Sequence, residues 1–101
     1  MIKSTNLLFQ GGNRLFVIMA YDVNVKRVSK ILKVGRKYLN WIQNSLFEGE
    51  LSKAQFERLK ADLKNIINPQ EDSVVFYLFR STKYMDKQSL GIEKSDTSSF
   101  I

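Results

Sequence analysis

The chain has 101 residues, a 44% hydrophobic share and a 26% charged share, the profile of one ordinary globular domain. It contains no cysteine and no histidine, which excludes disulfide frameworks, thiol nucleophiles, His-based triads and Cys/His metal sites. Chemistry is left to carboxylates, hydroxyls, lysine and arginine, or to a hard cation held by oxygen. The net charge of +6 is unevenly placed: residues 1–40 hold eight basic side chains against one acid, and residues 41–101 hold eight against nine. Such asymmetry favours a polyanionic partner.

The first 13 residues carry a single lysine and only a three-residue apolar run, Leu7-Leu8-Phe9. That is too short for a signal peptide core or a membrane span, so a cytoplasmic protein with no membrane partner is expected. Residues 15–21 are seven consecutive apolar side chains ending at Asp22, the pattern of a buried strand. Residues 25–39 read as a helix whose apolar side gathers Val28, Ile31, Leu32, Gly35 and Leu39. Gly35 lowers helix propensity by about 1 kcal/mol relative to alanine, and its place on the apolar side predicts close approach to the sheet. Residues 41–51 alternate in part and read as one second strand. Ser52 and Gln55 match a capping box opening a second helix, expected to run to Ile67 with Phe56, Leu59, Leu63, Ile66 and Ile67 inward and Asn68-Pro69 as its stop. Residues 74–79 form a third apolar strand. Short segments at 83–85 and 89–92 are candidates for one or two more, and 94–101 reads as a loose polar tail.

This order predicts an α+β protein, a ferredoxin-like βαββαβ sandwich with an extra short C-terminal strand. Residues 1–14 form an extension, 15–93 the domain and 94–101 the tail. Two helices cover one sheet face, yet residues 15–21 and 74–79 are apolar at both parities. The second face therefore needs a cover, and a second copy of the chain, giving a homodimer, is favoured over the N- and C-terminal segments folding across it.

The first helix carries Lys26, Lys30, Lys33 and Lys37 at spacings of 4, 3 and 4, a single stripe opposite the apolar side, flanked by Arg27 and Arg36. Like charges at this spacing weaken a helix, a cost that phosphates along the row would offset. The plain alternative is a solvated lysine face. No base-reading motif accompanies the row, so recognition is expected to follow backbone charge and shape. Asp22 is the only acid in the first 47 residues and stands where a strand gives way to a helix. Two readings are open for it: a metal-binding carboxylate at a strand end, or a helix cap, a task that Asn24 can also perform. One carboxylate is too few for a tight magnesium site, but two copies could bring a pair of them to one ion. Gln43, Asn44 and Ser45 read as sheet-edge polar residues, and Glu48 and Glu50 as surface residues.

Taken together, Tyr21-Asp22 at the end of an apolar strand, Val23-Asn24-Val25-Lys26-Arg27-Val28, the run from Arg36-Lys37-Tyr38-Leu39-Asn40 through Trp41-Ile42-Gln43-Asn44-Ser45-Leu46-Phe47-Glu48-Gly49-Glu50-Leu51, and Gly91-Ile92-Glu93-Lys94 resemble the CRISPR-associated Cas-two family over residues 15–94. The resemblance implies a ferredoxin-like homodimer in which a C-terminal strand crosses to the partner. It implies that Asp22 is the catalytic and metal-ligating residue of an endonuclease or endoribonuclease using Mg2+ or another divalent cation. It also implies bridging of Cas-one integrase dimers and the holding of duplex DNA during spacer acquisition. Lysines stand here where that family often has arginines, with Arg27 and Arg36 the nearest matches, so fewer bidentate phosphate contacts are expected. Residues 1–14 are expected to lack a counterpart in similar proteins. A stand-alone toxin-type metal-dependent ribonuclease of the same fold is the alternative.

Overall fold

A computed structural model describes residues 14–80 and 88–91. The chain runs β1 (Arg14–Asp22), α1 (Val25–Tyr38), β2 (Asn40–Gln43), β3 (Leu46–Ser52), α2 (Lys53–Lys64) and β4 (Ser73–Phe79). The strands form one sheet in the order β2-β3-β1-β4, every neighbouring pair antiparallel. This is the expected ferredoxin-like βαββαβ plan. In register, Val17 lies opposite Gly49 on β3 and Leu78 on β4.

The route differs from the sequence reading at one place. Residues 41–51 are not one strand but a hairpin, with Asn44 and Ser45 at the turn. Asn44 adopts φ +45°, a left-handed conformation that asparagine tolerates better than most residues. Two contacts hold the turn: the Trp41 indole Nε1–H donates to the Asn44 carbonyl at 2.9 Å, and the Tyr21 hydroxyl approaches the same oxygen at 3.5 Å. The expected polar edge residues Gln43, Asn44 and Ser45 are thus the end of a short strand and its reversal.

Both helices lie on one side. Leu15, Val17, Met19 and Tyr21 of β1 point inward with Phe47 and Leu51 of β3, and meet Ile31 and Val34 of α1 and Phe56, Leu59 and Leu63 of α2. Gly35 is where α1 comes closest: a Cβ built there would lie 2.6 Å from the fully buried Phe47 ring. The expected close approach is real, and its partner is a side chain of the hairpin strand. Val34, absent from the predicted stripe, is buried as well.

Ser52 caps α2 with a complete capping box: its hydroxyl accepts from the Gln55 N–H at 3.1 Å while Gln55 Oε1 accepts from the Ser52 N–H at 2.9 Å. The helix ends at Lys64, three residues earlier than expected. Ile66 and Ile67 follow in a turn whose N–H groups both donate to the Leu63 carbonyl, and they pack against the core from there. Of the possible C-terminal strands, residues 83–85 lie outside the described residues, and residues 89–91 form no strand.

The opposite sheet face carries Phe16, Ile18 and Ala20 of β1 beside Phe79, Tyr77 and Val75 of β4, each pair in direct register. Val75 is 42% exposed, Tyr77 55% and Phe79 37%. Among the described residues, no element lies over this face.

Candidate nucleic-acid interface and strand-end carboxylate

The first helix begins with a cap. Asn24 precedes α1 and its Oδ1 accepts from the Lys26 N–H at 3.0 Å, so the capping task falls to Asn24 and not to Asp22. From this start α1 turns Ile31, Val34 and Gly35 to the core. The opposite side then presents Lys26, Lys30, Lys33 and Lys37, all four exposed, with Arg36 exposed beside them. No acid stands in the first turn of α1. The predicted row is therefore one continuous basic strip on the outer surface.

Arg27 departs from it. Its side chain turns toward the α2–β4 loop and is only 14% exposed, against 0% for the Asp72 side chain and 44% for Glu71. Arg27 Nε donates to Asp72 Oδ2 at 2.5 Å, and Nη2 donates to Asp72 Oδ1 at 3.1 Å and to Glu71 Oε1 at 2.8 Å. This is a two-pronged guanidinium–carboxylate contact, the strongest common form of ion pair. Asp72 also accepts from two backbone donors, the Asn24 N–H at 2.9 Å and the Asn68 N–H at 2.8 Å. Glu71 adds a bond from Asn24 Nδ2 at 3.1 Å. Sequence reading missed Glu71 and Asp72, which lie more than 40 residues from their partners. The one available signal was the clustering of Asn68, Glu71 and Asp72 around a proline turn.

The Arg27 guanidinium, helped by the two backbone donors, holds the Asp72 carboxyl well below the ordinary carboxylate range. A depressed folded-state pKa adds stability that is complete above the unfolded value of about 4 and fades as pH falls below it. Urea unfolding should therefore give a midpoint that drops between about pH 5 and pH 3, and Asp72→Asn should flatten that drop. Equal pH slopes for the two proteins would refute the assignment.

Asp22 closes β1 directly opposite Ser73. It is exposed, and strand alternation places it on the open apolar face after Phe16, Ile18 and Ala20. Its carboxylate has no side-chain partner among the described residues. The β1–α1 loop, the β2–β3 turn and the α2–β4 loop meet at this end of the sheet; the Tyr21 N–H donates to the Ser45 carbonyl at 3.1 Å. Burial raises the pKa of the Tyr21 hydroxyl, and a more distant Arg36 charge opposes the rise. No cluster of three or more metal-ligating side chains exists among the described residues. Since Glu71 and Asp72 are engaged by Arg27, Asp22 is the one carboxylate that the described residues leave available to a divalent cation at this end.

These features define a small ferredoxin-like βαββαβ protein with a basic strip on its first helix and a lone carboxylate at the end of its first strand. The family model of CRISPR associated protein Cas2 matches residues 15–87. The chain belongs to that family, the one its sequence resembles. It is 57% identical over 81 residues to a protein of Dictyoglomus turgidum named CRISPR-associated endoribonuclease Cas2, covering 80% of this chain and 93% of that one. A protein of the same name from Methanocaldococcus jannaschii is 46% identical over 100 residues, 99% of this chain and 87% of that one. In that relative the first residues have a counterpart, whereas the family model begins at residue 15. A solved structure titled as the crystal structure of cas2 superposes with a TM-score of 0.73 at 48% identity, covering 81% of this chain and 92% of that one. No helix among the described residues is long and apolar enough to cross a membrane.

Proposed function

We propose that the chain serves CRISPR adaptation as a homodimer that grips the phosphate backbone of duplex nucleic acid and bridges Cas-one integrase dimers during spacer acquisition, with a conditional metal-dependent endonuclease activity centred on Asp22. The observation that carries this reading is the unbroken exposed strip of Lys26, Lys30, Lys33 and Lys37, joined by Arg36, on the side of α1 away from the core. A straight row of ammonium groups matches a polyanion without reading bases, as a scaffold for spacers of any sequence requires. Arg27 stands outside the strip because its guanidinium is held by Glu71 and Asp72.

Pairing through the open face would bury Phe16, Ile18, Val75, Tyr77 and Phe79, and Asp22 stands at one end of that face. Two copies of Asp22, brought to a common axis, would hold a Mg2+ or similar cation, with water and phosphate oxygens completing its shell. The ion would supply positive charge to the reacting phosphate and a more acidic water. The lysine strip holds the flanking phosphates, and Asp22 presents its carboxylate at an exposed strand end. The name endoribonuclease carried by the relatives supports the hydrolytic part and favours RNA as the first substrate to test. Their shared CRISPR designation gives the toxin-type alternative no support.

Asp22→Ala is expected to lower metal-dependent cleavage by about 100-fold or more. Duplex binding and spacer integration should be unchanged. Cleavage that persists undiminished in Asp22→Ala would remove the carboxylate from the chemistry. Loss of integration in the same variant would contradict the scaffold role assigned to the strip.

A further inference from the structure

Asp22 is followed two residues on by Asn24 in the β1–α1 loop and stands opposite Ser73 across the sheet. Both are tied to one side chain. Asp72 accepts the Asn24 backbone N–H, and it is the residue that immediately precedes Ser73. The same carboxylate holds Arg27 of the first turn of α1 and the Asn68 N–H of the α2–β4 loop. Glu71 doubles the grip on Arg27 and Asn24. Four donors thus converge on a carboxylate with no solvent exposure, at the junction of β1, α1 and β4. Removing one member of such a buried, hydrogen-bonded pair leaves the others unsatisfied, so the loop would lose its single conformation.

We infer that Asp72, with Arg27 and Glu71, is the positioning unit of the Asp22 end, and that Arg27 acts through this unit and not on phosphate. The role for cleavage rests on the reading that Asp22 is the carboxylate of the reaction. The anchoring of the loop, and the removal of Arg27 from the phosphate-binding set, stand independently of it. A positioning residue of this kind differs from a phosphate contact in a measurable way: it changes the chemical step and the local opening of the loop, and leaves the counterion release of binding alone.

The experiment uses the full chain, with Asp72→Asn, Arg27→Gln and Lys30→Gln as variants and three readouts. First, duplex binding is followed against salt concentration. Each lost phosphate contact lowers the slope of log K against log salt by about 0.9. Lys30→Gln should show that change, and Arg27→Gln should not. Second, in Asp72→Asn amide hydrogen exchange should quicken at Asn24 and Asn68 by about tenfold or more beyond any rise at Val17 and Leu51 in the core. Third, cleavage by Asp72→Asn should fall in kcat by about tenfold with KM unchanged.

An Arg27→Gln slope matching that of Lys30→Gln overturns the assignment of Arg27. Unchanged exchange at Asn24, or an equal rise at every amide, overturns the anchoring role of Asp72. Should the wild-type chain cut nothing, or cut as well without Asp22, the reading of Asp22 fails on its own. The salt and exchange measurements then still decide the positioning unit.

Discussion

Lys30→Glu combined with Lys33→Glu should remove duplex binding that is readily measured for the wild-type chain at about 0.1 M salt. The two side chains are exposed at the centre of the α1 strip, and neither takes part in a hydrogen bond or ion pair among the described residues. At that salt concentration each neutralised phosphate contributes about 0.9 decades to the binding constant through counterion release. Two lost contacts in one chain weaken binding by about 60-fold, and four across a pair of chains by about 4 × 10³-fold, before any repulsion from the new carboxylates. Folding should not suffer. The substitutions relieve like-charge repulsion along α1, and a thermal melt should show an unchanged or slightly raised midpoint. Retained affinity in a properly folded variant would mean that the strip is a solvated face and that duplex binding uses another surface.

The second large effect concerns the open sheet face. The wild-type chain should sediment as a pair at micromolar concentration, and Tyr77→Lys as single chains. Tyr77 is the most exposed aromatic of the patch at 55%, lies opposite Ile18, and neighbours the Phe16 and Phe79 rings, which stand 6.4 Å apart. Burying an aromatic side chain of this size contributes about 1.5–3 kcal/mol. In a twofold pair the loss counts twice, which raises the dissociation constant by about 10²–10⁴-fold. The lysine also brings two like charges toward the axis. Because Asp22 shares this face, cleavage that depends on two copies of it should fall together with pairing, while the lysine strip of each single chain keeps its weaker affinity for duplex. A wild-type chain that sediments only as a monomer would defeat the pairing and, with it, the shared cation.

The parts legible in the sequence are those governed by short-range rules. Apolar continuity marked β1 and β4, and 3.6-residue periodicity marked the inner side of α1, hence the outward strip of lysines. Side-chain capping is local as well, so Asn24 before α1 and the Ser52–Gln55 box before α2 were both readable from spacings of two and three residues. The β2–β3 turn was not readable. It contains neither glycine nor proline, and the alternation of Trp41, Gln43, Ser45 and Phe47 runs straight through it; Asn44 at φ +45° reverses the chain with only a modest local signal. The end of α2 was also overextended, because Ile66 and Ile67 continue the helical spacing through the turn that closes the helix at Lys64.

For the candidate site the division is the same. Asp22 at a strand end and the lysine row follow from the order of residues along the chain, because a strand's terminus and a helix's outer side are properties of single elements. The fate of Arg27 does not. Within α1 it looks like one more cation of the row, and only the packing of the α2–β4 loop against the start of α1 brings Glu71 and Asp72, 44 and 45 residues away, to its guanidinium. Charge and periodicity say which side chains face outward from an element; which of them finds a partner depends on loops meeting in space, and long-range encounters of that kind leave no periodic trace.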